Sequence, residues 1–90
     1  MDIEELYNII NTRIKNKSKK SYTNSLLKLG PKKIAQKFGE ESTELIVDFL
    51  NGSKKRTIEE AADVIYHLLL LLKSKKITLK DINKELTKRN

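Results

Sequence analysis

Residues 37–72 read KFGEESTELIVDFLNGSKKRTIEEAADVIYHLLLLL. Two helical patterns lie in this stretch, with a break at Asn51-Gly52-Ser53. The second pattern decides the fold class. From Val64 to Leu72 its apolar residues Val64, Ile65, Leu68, Leu69, Leu70, Leu71 and Leu72 are spread around the whole helical wheel. A helix that is apolar all round is central and must be covered by neighbours on several sides. The one polar stripe on it is Glu60, Asp63 and His67, which fall within about 60° of one another at 100° per residue.

Working outward, the same period holds nearly everywhere and strand signals are absent. Ile3, Leu6, Tyr7, Ile10 and Ile14 recur at spacings of three and four, so residues 2–15 form an amphipathic helix. Residues 15–23, KNKSKKSYT, read as a basic linker, and residues 25–30 as a short helix or turn closed by Gly30. Pro31 suits the first turn of a helix that runs to Asn51 and stops at Gly52. Thr57, with Glu60 three residues on, has the pattern of a capping box, so the central helix is expected over residues 57–73 with NGSKKR as the turn before it. Thr78 opens a last helix, with Leu79, Ile82 and Leu86 on one face. The expectation is an all-α antiparallel bundle of about four to five helices, with residues 1–90 as a single domain.

The 90 residues carry 19 Lys and Arg against 12 Asp and Glu, for a net charge of +7. Such an excess suits polyanions: nucleic acid, a membrane surface or a phosphorylated small molecule. No recognition-helix or zinc pattern appears, which argues against nucleic acid. The longest apolar run is five residues, Leu68 to Leu72, against the ~20 needed to span a bilayer. There is no cysteine, and the first residues lack a signal-peptide pattern, so a cytoplasmic protein is expected.

Against the basic background, seven of the twelve acidic residues fall between positions 40 and 63. With Glu41 at zero on the wheel, Ile34, Phe38, Leu45 and Phe49 lie within about 80° on one side and Glu44 about 60° to the other. Glu41 is therefore at the edge of the buried face, with Glu44 beside it and Glu40 further out. Like charges at i, i+3 repel, and a buried carboxylate without a partner is costly. Two such pairs, Glu41/Glu44 and Glu60/Asp63, lie on consecutive helices that a short turn makes neighbours. A divalent cation would satisfy all four, and oxygen-only ligands select a hard ion such as Mg2+. A purely structural reading, with Glu60 as a cap and the other carboxylates solvated, leaves Asp63 unexplained, a full turn inside an apolar helix. His67 is expected behind the cluster, bonded to Asp63 or to substrate.

These residues also carry a resemblance. Glu40-Glu41-Ser42-Thr43-Glu44 followed by Glu60-Ala61-Ala62-Asp63 is similar to the EExxE…ExxD signature of the all-α nucleoside triphosphate pyrophosphohydrolases. With SYT at 21–23, KFGEE at 37–41 and DVIYHLL at 63–69, nearly the whole chain resembles the phosphoribosyl-ATP pyrophosphatase family of histidine biosynthesis. The resemblance implies the stand-alone form of that enzyme. It further implies hydrolysis of 1-(5-phosphoribosyl)-ATP between its α and β phosphates, a requirement for Mg2+, and assembly as a homodimer or larger. By position it implies Glu41, Glu44, Glu60 and Asp63 as metal ligands. Glu40 matches the first Glu of the signature, and Glu40 or Glu44 is the candidate general base. Lys37 and Lys33, then Lys54, Lys55 and Arg56, with Lys19 and Lys20, are candidates for binding substrate phosphates.

Overall fold

The structure is a computed structural model that describes residues 1–16 and 21–90. Lys19 and Lys20 lie outside the described residues. Among those described there are five helices and no strand: α1 (Ile3–Asn16), α2 (Tyr22–Leu29), α3 (Pro31–Asn51), α4 (Lys54–Ser74) and α5 (Leu79–Arg89). The all-α bundle expected from the periodicity is what forms.

Each boundary has a local cause. Asp2 accepts the backbone N–H of Glu5 and starts α1. Ser21 caps α2 by accepting from the Asn24 N–H, so the helix begins at Tyr22 and the basic linker ends earlier than its composition indicates. Gly30 joins α2 to α3 with φ +89, a conformation that side chains rarely adopt. Pro31 then occupies the first turn of α3, where its missing N–H costs nothing. At the far end the Gly52 N–H bonds to the Asp48 carbonyl at 2.8 Å. A Cβ on Gly52 would sit 2.8 Å from that same oxygen, so only glycine allows the chain to turn so tightly.

The start of α4 differs from the sequence expectation. Ser53 is its N-cap, accepting from the Arg56 N–H at 3.1 Å, and the helix begins at Lys54. Thr57 and Glu60 do not form a capping box. The Thr57 hydroxyl donates instead to the carbonyls of Ser53 and Asp48, at 2.9 and 3.2 Å. Ser53 is as good a cap as threonine and lies one turn earlier, so the helix gains that turn. The connection shrinks to Gly52-Ser53, and Lys54, Lys55 and Arg56 become helical. The capping box of this chain is at α5, between Thr78 and Asp81.

The core is Ile10, Leu26, Ile34, Leu69 and Leu70, with one side chain or more from each of the first four helices. α3 packs along α4, two helices of 21 residues each. Phe49 departs from its expected place on the buried face: it is 71% exposed, beside exposed Ile46, Val47 and Leu50. Its end of α3 runs past the core. α5 has no buried residue. Its Leu79, Ile82 and Leu86 face Ile3, Leu6 and Leu68 across an apolar groove of about 780 Å3. Among the described residues, no helix is long and apolar enough to cross a membrane.

Candidate metal and phosphate site

The tight α3–α4 turn sets the two acidic segments side by side. Glu41 on α3 and Glu60 and Asp63 on α4 each offer an oxygen, and these atoms lie within 4.8 Å of one another. Glu41 and Glu60 are only 6% and 5% exposed, whereas Asp63 opens to solvent. Three carboxylates in so small a space repel, and two of them have lost most of their water.

The surrounding charges relieve this only in part. The Lys37 ammonium, one turn before Glu41, lies 3.2 Å from Glu41 Oε1. That hydrogen bond raises the Lys37 pKa, with burial opposing it. The Arg56 guanidinium holds Glu60 Oε1 at 2.9 Å and also reaches Asp48 and Glu59, at 3.6 and 3.8 Å. Glu60 Oε2 is buried and has no hydrogen-bond partner among the described residues. Burial pushes the Glu60 carboxyl above the usual range. Glu44, Asp63 and Asp48 push it the same way, and Arg56 opposes them. A buried, unpartnered carboxylate oxygen beside two further carboxylates fits a cation. The donors are all oxygen and the chain has no cysteine, so the fit is to a hard divalent ion.

The other expected residues fall around this centre. Glu44 is exposed and close enough to Glu60 to act on its charge, but it is not one of the three clustered carboxylates. Glu40 is exposed and accepts from Gln36 Nε2 at 3.1 Å, and Gln36 accepts in turn from the Lys33 ammonium at 3.5 Å. Lys54 and Lys55 are exposed on the first turn of α4. His67 is buried, and its Nδ1 donates to the backbone carbonyl of Asp63 at 2.7 Å. The contact of His67 with Asp63 is through the main chain and not the carboxylate.

Two connections were not visible from single-helix patterns. The Tyr22 hydroxyl lies 3.2 Å from His67 Nε2. The fully buried Thr23 hydroxyl is bonded to the Tyr66 hydroxyl. SYT on α2 is thus fastened to the Tyr66-His67 pair on α4, 43 and 45 residues away. The Arg56–Glu60 pair, at i, i+4, could have been anticipated from spacing alone.

A helical bundle with carboxylates from two consecutive helices facing one point is consistent with the all-α nucleoside triphosphate pyrophosphohydrolases. A family profile described as phosphoribosyl-ATP pyrophosphohydrolase matches residues 3–90. A phosphoribosyl-ATP pyrophosphatase of Clostridium novyi is 49% identical over 87 residues, covering 97% of this chain and 79% of the relative. One of Sulfolobus acidocaldarius is 47% identical over 87 residues, covering 97% and 92%. The histidine biosynthesis bifunctional protein HisIE of Bacteroides thetaiotaomicron is 41% identical over 90 residues, which make up 44% of its length. The chain belongs to the phosphoribosyl-ATP pyrophosphohydrolase family.

Proposed function

We propose that the chain hydrolyses 1-(5-phosphoribosyl)-ATP to 1-(5-phosphoribosyl)-AMP and pyrophosphate in a Mg2+-dependent reaction, with residues 1–90 as one catalytic domain. The observation that carries this reading is the convergence of Glu41, Glu60 and Asp63 around the unpartnered Glu60 Oε2. It is supported by the family match over residues 3–90.

Glu41, Glu60 and Asp63, with Glu44 beside them, are the proposed ligands. A Mg2+ ion held there would supply positive charge to offset the carboxylates and the triphosphate and would make a water molecule more acidic. Glu44 and Glu40 are the proposed general bases, taking the proton from water as its oxygen attacks phosphorus and the pyrophosphate oxygen leaves. Glu44 is favoured by its place next to Glu60, since Glu40 is already engaged by Gln36. Lys37 and Lys33 lie on the same helix as Glu41 and are the proposed phosphate contacts, with Lys54 and Lys55 on the first turn of α4. Arg56 is occupied by Asp48, Glu59 and Glu60, which favours a part in ordering the site over binding substrate.

A homodimer is proposed with this function. Ile46, Val47, Phe49 and Leu50 on α3 and Ile58 on α4 are exposed near the acidic end of the pair. A stripe of that kind on a small domain suits burial against a second copy.

Asp63→Asn and Glu41→Gln test the assignment. Each should abolish pyrophosphate release while circular dichroism shows the helices kept. Wild-type turnover in either variant contradicts it.

A further inference from the structure

Tyr22 is left over by this account of catalysis, yet it is closely held. The residue is 49% exposed. One face stacks on Tyr66, with centroids 6.1 Å apart and the planes 25° from parallel. His67 meets both tyrosine rings edge-on. The next residue, Thr23, is bonded to the Tyr66 hydroxyl and fully buried. The Tyr22 hydroxyl also lies within the field of the acidic site: burial raises its pKa, Lys37 opposes the rise, and Tyr66, Glu41 and Asp63 add to it. An exposed aromatic ring fixed on several sides, at the edge of a charged site, is built to meet something.

The hydrogen-bond directions say what kind of group it meets. His67 Nδ1 faces the Asp63 carbonyl, which can only accept, so Nδ1 carries the hydrogen. In the neutral imidazole Nε2 is then an acceptor. With the imidazole neutral, the Tyr22 hydroxyl donates its one hydrogen to His67 Nε2. Its oxygen then offers lone pairs only. Phosphate oxygens are acceptors too, and carry charge, so this hydroxyl is a poor partner for the triphosphate. It matches an O–H or N–H donor. In the substrate named above, those donors are the sugar hydroxyls and the base amine, at the end away from the leaving pyrophosphate.

We propose that Tyr22 is a specificity-determining residue that recognises the hydroxyl- and amine-bearing end of the substrate, its oxygen held as an acceptor by His67. This rests on the function proposed above. His67 acts through Tyr22 and through the Asp63 carbonyl, and is a positioning residue.

The test compares wild type, Tyr22→Phe and Thr23→Val as full chains at pH 8.5 with Mg2+. KM and kcat for phosphoribosyl-ATP are measured, together with inhibition constants for phosphoribosyl-AMP and for inorganic pyrophosphate. Tyr22→Phe keeps the ring and loses the acceptor. It should raise KM and the phosphoribosyl-AMP constant by about three- to tenfold, the worth of one neutral hydrogen bond. The kcat and the pyrophosphate constant should stay within about twofold of wild type. Thr23→Val, which breaks only the bond to Tyr66, should lower the melting temperature and leave both inhibition constants unchanged. The assignment is overturned if Tyr22→Phe moves the pyrophosphate constant as well, if it moves neither, or if Thr23→Val reproduces its effect. A wild-type chain that releases no pyrophosphate overturns the functional reading, and this assignment with it. A hydrolysing wild type with an unchanged Tyr22→Phe form overturns the Tyr22 assignment alone.

Discussion

The Arg56 guanidinium holds one oxygen of Glu60 at 2.9 Å, while the other oxygen is buried with no partner among the described residues. One carboxylate is thus divided between an internal cation and a buried oxygen that no described residue satisfies. The arrangement explains how two nearly buried glutamates and an aspartate can converge without an internal base for each. Lys37 and Arg56 satisfy part of the charge, and the remainder is directed to one point.

Glu60 makes metal-free stability depend on pH. Its folded pKa is raised, so the folded chain binds this proton more tightly than the unfolded chain does. The resulting stability is complete below the ordinary carboxylate pKa and is lost as pH rises through the raised one. The melting temperature without metal should therefore fall as pH climbs out of the carboxylate range. Glu60→Gln should remove that part of the slope. At pH 7.5, Mg2+ at a hundredfold its Kd is worth about 2.7 kcal/mol. That is on the order of 10 °C for a domain of this size. Thermal scans at fixed protein concentration should show the rise in wild type and little of it in Glu60→Gln.

Arg56 distinguishes two roles by experiment. If it orients Glu60, Arg56→Met should weaken Mg2+ activation about ten- to a hundredfold. At saturating Mg2+ the substrate KM should then return close to wild type. A KM that stays raised at every Mg2+ concentration would make Arg56 a phosphate contact instead.

The exposed Ile46, Val47, Phe49 and Leu50 stripe should be covered in solution. Sedimentation at micromolar concentration should give a dimer or larger for wild type, and Phe49→Glu should shift it toward monomer. A sharp monomer for wild type would leave the stripe without a partner of its own kind.

The α5 capping box should be locally, not globally, important. Thr78 donates its N–H to Asp81 Oδ2 at 2.9 Å and accepts the Asp81 N–H at 3.1 Å. Hydrogen bonds from the Thr78 backbone and side chain to the Asp81 carboxyl hold it below its ordinary pKa. Their stabilisation is present above the ordinary carboxylate value and is lost as pH falls through the depressed one. Thr78→Ala should cost about 1 kcal/mol. Because α5 buries no residue, hydrogen exchange should quicken in α5 and not in the α3–α4 pair.

Much of this was legible in the sequence where the signal is local. Pro31, Gly52 and Thr78 mark helix ends by the backbone groups they lack or satisfy, and α3 and α5 begin and end where those residues stand. The apolar surround of α4 placed it at the centre, and the i, i+3 carboxylate pairs placed Glu41, Glu44, Glu60 and Asp63 together, of which Glu44 stays outside the cluster. Local signals also misled. Thr57 and Glu60 have capping-box spacing, but Ser53 lies a turn earlier and captures the helix start. The wheel put Phe49 with Ile34, yet angular position does not say how far the core extends along the helix. The pairings of Tyr22 with His67 and Thr23 with Tyr66 cross more than 40 residues, and no periodicity encodes a contact between helices.

The most direct test of the central claim is pyrophosphate release from phosphoribosyl-ATP, with and without Mg2+, beside ATP and dCTP. Mg2+-dependent release from phosphoribosyl-ATP alone is the expected result. Release from none of the three, or from ATP and dCTP as readily as from phosphoribosyl-ATP, would contradict it.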